Sequence, residues 1–265
     1  MQKASKVQLK KARELLREKR SRDENGLFVA EGLKIVSDIV AKAHPLDSVI
    51  VSRGFVKADE NGSFLADLEK NSIPVFETGD TDFERISSLQ HSQGVLAIIK
   101  KPSFSKKTPT ADEAALLVLC DGVQDPGNLG TIIRTSVAFG VDAILLAGEA
   151  ADIYNPKVVR ASSGMMIDIP VYRCDAPELD RLKKEGYSFF VSQIRGEKGK
   201  DITGIKGLSG PSILAFGSEG KGVSGEIMER ADEFFYIPIG GKAESLNVTA
   251  AAAIALYVFA RTKGD

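Results

Sequence analysis

Short apolar runs alternate with amphipathic stretches along the 265-residue chain, and the alternation passes through it twice. In the first pass, residues 7–20 carry Val7, Leu15 and Leu16 among polar neighbours and predict a helix. The Asn25-Gly26 turn precedes a short strand at 27–30, a helix at 32–42 and a strand at 48–52. A helix at 63–70, strands at 73–76 and 95–99, and a helix near 82–87 complete a small α/β domain over 1–100. Residues 101–112 hold Pro102, Pro109, three lysines and several hydroxyl side chains without an apolar period. They predict an interdomain linker.

The second pass covers 113–265 and has the stronger pattern. It predicts a buried strand at 115–120, a helix at 129–139 and a strand at 143–146. Further strands fall at 169–172, 189–192, 213–216 and 234–237, with helices at 155–163, 178–185, 225–230 and 247–261. Strands alternating with helices predict an α/β fold: a mostly parallel sheet with helices on both faces. Ligands in such sheets bind outside the carboxyl ends of the strands.

Composition narrows the function classes. No run reaches the roughly 18 apolar residues that a membrane span needs. The N-terminus begins Met-Gln-Lys-Ala-Ser-Lys without an apolar core, so no secretory signal is expected and the cytoplasm is the expected location. Cys120 and Cys174 are the only cysteines, and His44 and His91 the only histidines. They form no CxxC or Cys/His cluster, so no metal site is expected. Cys120 ends the run Leu116-Leu117-Val118-Leu119 and reads as a buried thiol. The formal net charge of −1 hides a basic N-terminus. Lys6, Lys10, Arg13, Arg17 and Arg20 recur at helical steps of four and three. Such a stripe is either a solvated helix face or a phosphate-binding edge.

Three glycine-bearing segments each lie between a predicted strand and helix. The first is Asp125-Pro126-Gly127-Asn128-Leu129-Gly130-Thr131-Ile132-Ile133-Arg134. The second is Phe216-Gly217-Ser218-Glu219-Gly220-Lys221-Gly222. The third is Ile237-Pro238-Ile239-Gly240 with Ser245-Leu246-Asn247-Val248. Gly220 to Gly225 also fits the GxGxxG spacing of dinucleotide-binding folds. The acidic residue that should follow about 20 positions later, to hold a ribose, is missing. A P-loop fails as well, because Gly222 stands where Ser or Thr is needed. Helix capping is the plain alternative for Glu219 and for Asn247.

Together the three segments resemble the three motifs of the SpoU (TrmH) family of RNA 2′-O-ribose methyltransferases. The second motif, G-x-E-G-x-G, is matched by residues 217–222. The third is matched from Ile237 to Val248, with Thr249 in place of its usual serine. The first supplies Asn128 and Arg134. The block Asn155-Pro156-Lys157-Val158-Val159-Arg160-Ala161-Ser162-Ser163-Gly164 also resembles these enzymes. Residues 15–32 and 93–96 resemble their N-terminal RNA-binding domain, which is similar to a ribosomal-protein fold.

The resemblance implies a trefoil knot near the C-terminus, a homodimer formed by the knotted region, and S-adenosylmethionine as cofactor. It implies ribosomal RNA as substrate, with transfer RNA as the alternative. On this reading Phe216, Gly217, Glu219, Gly220, Ile237, Pro238, Ile239, Ser245 and Leu246 hold the cofactor. Asn128, Arg134, Glu219, Ser245 and Asn247 form the catalytic set. Lys10, Arg13, Arg17, Arg20 and Arg160 contact RNA. Gly217, Gly220, Gly222, Gly240 and Gly241 allow close approach of chain or ligand, since none has a Cβ. The Ala250–Ala253 run allows the same for the last helix.

The implied reaction is in-line attack of a ribose 2′-oxygen on a sulfonium methyl. No motif holds a histidine, and a guanidinium keeps its proton in proteins. Arg134 is therefore expected to act as a fixed cation that stabilises the developing alkoxide. A neighbouring phosphate oxygen is the expected proton acceptor. Asn128 would orient the ribose or Arg134 by hydrogen bonding, and Glu219 would position neighbouring donors, an acid near Arg134 fixing its fork. Two other readings compete: a catalytically silent RNA-binding or ribosome-assembly protein on this scaffold, and a nucleotide-dependent oxidoreductase. The intact motif residues argue against the first and the missing acid against the second.

Overall fold

The chain in the computed structural model forms two compact units. The structure describes residues 1–105, 107–113, 116–193, 199–205, 210–241 and 243–261. One unit comprises Met1–Ser103 with Asp152–Ile167, the other Phe104–Ala151 with Asp168–Asp265.

The first unit opens with β1 (Gln2–Lys3), α1 (Lys6–Arg17), α2 (Lys19–Asn25), β2 (Leu27–Glu31) and α3 (Leu33–Ala41). It continues with β3 (Leu46–Ser52), α4 (Arg53–Lys57), α5 (Gly62–Lys70), β4 (Val75–Thr78), α6 (Asp80–Ile86) and β5 (Val95–Lys100). Its sheet has the order β1-β4-β3-β5-β2. The β2–β5 and β3–β5 pairs are antiparallel, and the others are parallel. Ala12, Leu15 and Leu16 of α1 bury one helix face against Leu27, Val29 and Ile98.

The helix predicted over 7–20 is two helices. Glu18 takes an extended conformation (φ −114°, ψ 116°) and divides α1 from α2. The cause lies far away in sequence. Arg22 is 3% exposed. Its Nη1 donates to the Leu15 carbonyl at 2.7 Å, one of the carbonyls that a helix end leaves unpaired. Its Nε and Nη2 donate to Asp152 Oδ2 at 3.1 and 2.7 Å. Turning Arg22 inward breaks the helix and takes Arg20 off the basic stripe of α1.

The second unit begins with β6 (Leu116–Asp121), α7 (Pro126–Ala138) and β7 (Ala143–Ala147). The chain then returns to the first unit for α8 (Pro156–Ala161). There Tyr154 lies 5.1 Å from the Phe28 ring, and Lys101 sits over Tyr154 at 4.6 Å. The same Lys101 donates to Asp23 at 2.7 Å, which holds the Asp23 carboxyl below its usual range. Gly164 adopts φ 78°, and a Cβ there would press on Ile35 and Ile39. The predicted helix at 155–163 thus packs on β2 of the N-terminal unit.

The chain then forms β8 (Val171–Arg173), α9 (Ala176–Lys184), β9 (Ser188–Gln193), β10 (Lys200–Asp201), β11 (Ser212–Gly217), α10 (Gly225–Met228), β12 (Glu233–Tyr236) and α11 (Val248–Arg261). The sheet order is β10-β12-β9-β11-β6-β7-β8, and every pair is parallel. Strands β6 and β7 are buried along their whole length, as a parallel sheet covered on both faces requires. Leu179 and Leu182 of α9 pack on Leu117, Phe189, Val191 and Ile213 on one face. On the other, Phe259 of α11 meets Phe190 and Phe235 at ring distances of 5.4 and 5.5 Å.

Thr108 and Thr110 of the predicted linker pack on this second unit. Arg181 of α9 donates to Thr108 and is paired with Glu178 and Glu185. Tyr187 Oη donates to the Thr110 carbonyl at 3.0 Å. Burial pushes the thiols of Cys120 and Cys174 up to about 12, so at neutral pH neither supplies a thiolate nucleophile. Among the described residues no helix is long and apolar enough to cross a membrane.

Candidate active site

The carboxyl ends of β6, β9, β11 and β12 carry the loops that meet at one place in the second unit. At the end of β6, Asp125 caps α7. Its side chain accepts from Asn128 N at 2.8 Å, and Pro126 occupies the first turn, where its missing N–H costs nothing. Leu129, Ile132 and Ile133 bury the inner face of α7 and fix its rotation. That rotation sends the Asn128 amide towards the loop after β11.

In that loop Ser218 and Gly222 form an isolated bridge, with Gly222 N donating to Ser218 O at 2.9 Å. A Cβ on Gly217 would overlap the backbone of Gly222 and Val223. Gly222 itself takes φ 68°. At 220, 240 and 241 a Cβ would meet no protein atom within 4 Å, so the fold itself demands the close approach only at 217.

The three motifs converge on one carboxylate. Glu219 Oε1 accepts from Asn128 Nδ2 at 3.1 Å and from Asn247 Nδ2. The Asn247 amide also lies 3.3 Å from Asn128 Oδ1. Its own Oδ1 accepts from Thr249 N at 2.8 Å, so Asn247 caps α11 and joins the cluster at once. Glu219 caps no helix, since Ser224 occupies the N-cap of α10. Contrary to expectation, Glu219 does not hold Arg134. That arginine is exposed and, among the described residues, has no hydrogen bond or ion pair. Helical geometry places it about 9 Å further along α7 than Asn128 and about 120° around it.

Two cavities flank the cluster. One, of about 630 Å³ including its open mouth, is lined by Phe216, Gly217, Ser218, Glu219, Ile237, Ile239, Ser245 and Leu246. Ser192, Gln193, Gly222, Val223, Val248 and Ala251 complete its wall. Among the described residues Gln193 Oε1 is buried without a hydrogen-bond partner. The other, an open cleft of about 1230 Å³, takes Asn128, Glu219, Gly220, Lys221, Asp121, Gln124 and Glu149. Pro238 and Arg134 line neither.

Sequence reasoning missed Ser192, Gln193 and Asp121. All three sit at carboxyl ends of parallel strands, and that position alone would have nominated them. In the N-terminal unit, Arg13 and Arg17 are exposed without partners among the described residues, and Lys10 lies 3.6 Å from Glu14. Arg20 pairs with Glu24 at 2.6 Å. Arg160 donates to Ser88 Oγ at 2.9 Å beside the buried Glu31.

Comparison with known proteins gives consistent matches. Residues 115–257 match the SpoU rRNA Methylase family, and residues 6–97 match the MRM3-like substrate binding domain. The chain is 33% identical over 244 residues to RlmP of Bacillus subtilis (strain 168), a 23S rRNA (guanosine(2553)-2′-O)-methyltransferase. The match covers 91% of this chain and 92% of that one. An AdoMet-bound rRNA methyltransferase from Sinorhizobium meliloti has a similar structure, with a TM-score of 0.83 at 28% identity, covering 100% of this chain and 98% of that one. A solved RNA 2′-O ribose methyltransferase gives a TM-score of 0.82 at 26% identity, covering 99% of each chain.

Proposed function

The chain belongs to the SpoU rRNA methylase family, and from that premise we propose that it methylates a ribose 2′-oxygen of ribosomal RNA with S-adenosylmethionine. The observation that carries this reading is the Asn128–Glu219–Asn247 cluster, in which all three motifs meet between a pocket and an open cleft.

The pocket suits the cofactor in two ways. The turn that packs directly on Gly217 frames its wall, and Gln193 Oε1 is, among the described residues, a buried acceptor lacking a donor, which a ligand N–H would satisfy. S-adenosylmethionine supplies a sulfonium-activated methyl group when bound. Phe216, Gly217, Ile237, Ile239, Ser245 and Leu246 would hold it, with Gly220 and Pro238 shaping the same loops. Glu219 fixes the two asparagine amides, and Asn128 presents its amide to a ribose in the open cleft. Arg134 lines neither cavity of its own chain, so its free fork would stabilise the alkoxide and the adjacent phosphate in the site of a second copy. The cytoplasm, where ribosomes are assembled, is the proposed location.

A homodimer is part of the proposal. Ile254 (38% exposed) and Tyr257 (51% exposed) lie three residues apart on one face of α11. A family-type knot in the C-terminal region would sit behind that face. Light scattering is expected to give a two-fold dimer at micromolar concentration. An active monomer under those conditions contradicts it.

The exposed cations of α1 supply the RNA contacts. Replacing Lys10, Arg13 and Arg17 together by Gln should weaken rRNA binding and lower its salt dependence by about three ions. Affinity for S-adenosylhomocysteine should not change. Unchanged rRNA affinity would leave α1 a solvated face. Methylation of tRNA alone would move the substrate from rRNA to tRNA, and RNA binding without methyl transfer would favour the silent scaffold.

A further inference from the structure

The open cleft beside the cluster carries the wrong charge for a polyanion. Among the described residues its lining holds Asp121, Asp125, Glu149 and Glu219 against a single cation, Lys221. Each carboxylate accepts hydrogen bonds, and the donors are neutral. Ser224 N lies 2.6 Å from Asp121, Asn128 N 2.8 Å from Asp125, and Gln124 Nε2 3.0 Å from Glu149. The Asn128 and Asn247 amides serve Glu219. Neutral donors satisfy the lone pairs and leave the formal charges in place. A phosphodiester entering this cleft is repelled unless a cation meets it.

Lys221 is placed to do so. It lies between Gly220 and Gly222 in the turn closed by the Ser218–Gly222 bridge. Its side chain is exposed and has no hydrogen bond or ion pair among the described residues. The preceding segment of the same turn carries Glu219, so the turn that fixes the asparagine pair also presents the ammonium. In any ribonucleotide the 2′-oxygen and the 3′-phosphate sit on adjacent carbons of one ring. A ribose held at Asn128 therefore brings its own phosphate into the cleft.

We propose that Lys221 is a positioning residue that binds the phosphate of the target nucleotide and draws it into an otherwise acidic cleft. This rests on the reading of the chain as an RNA methyltransferase. An ammonium acts here as a point charge, so arginine should replace it and glutamine should not.

The test uses the full-length protein and rRNA from cells that lack this methyl group. Steady-state methylation is measured over a range of salt for wild type, Lys221→Gln and Lys221→Arg, and S-adenosylhomocysteine affinity by calorimetry. Lys221→Gln should raise the RNA KM about tenfold and flatten its salt dependence by about one ion, with kcat within about twofold. Lys221→Arg should restore the KM, and cofactor affinity should be unchanged in both. An unaltered KM and salt slope in Lys221→Gln would overturn the proposal. So would a parallel loss of S-adenosylhomocysteine affinity, which would assign the ammonium to the cofactor carboxylate. A wild-type protein that transfers no methyl group to RNA would instead remove the underlying reading, and this proposal with it.

Discussion

Arg134→Lys is expected to lower methyl transfer about 10²–10³-fold while leaving S-adenosylmethionine affinity within about twofold of wild type. The fall in rate follows from geometry. A guanidinium offers two parallel N–H donors to an alkoxide and its phosphate, whereas an ammonium offers one compact charge. The unchanged affinity follows from place, since Arg134 lines no part of the proposed cofactor pocket. Two roles for Arg134 can be told apart by pH. As a fixed cation it gives a low, flat profile in the lysine variant. As a base, its replacement would titrate, and the lysine variant would recover much of its activity near the pKa of a lysine, about 10.4. Strong alkaline rescue with constant RNA binding contradicts the electrostatic role.

Gly217→Ala is expected to weaken S-adenosylhomocysteine binding about 10–100-fold, the scale of an overpacked site. The new methyl group would meet backbone atoms of Gly222 and Val223, which have no rotamer to retreat into. The 218–222 turn must shift, and Glu219 shifts with it, so methyl transfer should fall further than cofactor affinity. Gly220→Ala is the control. Its Cβ meets no protein atom within 4 Å and its φ lies outside the left-handed region, so cofactor affinity should stay near wild type. Calorimetry with both variants decides the matter, and equal losses at 217 and 220 would mean that ligand contact sets the need for glycine.

Those two glycines also show where sequence reading stops. As residues in a motif they look alike, and only the return of the chain past Gly217 separates them. The alternation of strands and helices was legible because a strand buried on both faces must be apolar throughout, as β6 and β7 are. Asn128, Glu219 and Asn247 were legible as candidates because the three segments that hold them resemble the SpoU motifs and follow predicted strands. Their convergence on one carboxylate oxygen was not, because 91 residues separate Asn128 from Glu219. The break at Glu18 was hidden for the same reason. It depends on Arg22 finding Asp152, 130 residues away. Nor does local pattern show that the Asp152–Ile167 segment packs with the N-terminal unit, since its helix has an ordinary amphipathic face. Arg134 was placed on a helix correctly, but its expected partner was wrong: Glu219 is taken up by two amides instead.

The central claim is that the Asn128–Glu219–Asn247 cluster marks a ribose 2′-O-methyltransferase site for RNA. It is tested most directly by incubating purified protein with methyl-labelled S-adenosylmethionine and unmodified rRNA, then digesting the RNA to nucleosides for mass spectrometry. The account predicts label in a single 2′-O-methylnucleoside, with S-adenosylhomocysteine released in equal amount, and loss of both in Asn128→Ala. Label on a base, or no label on rRNA or tRNA while S-adenosylmethionine is bound, would contradict it.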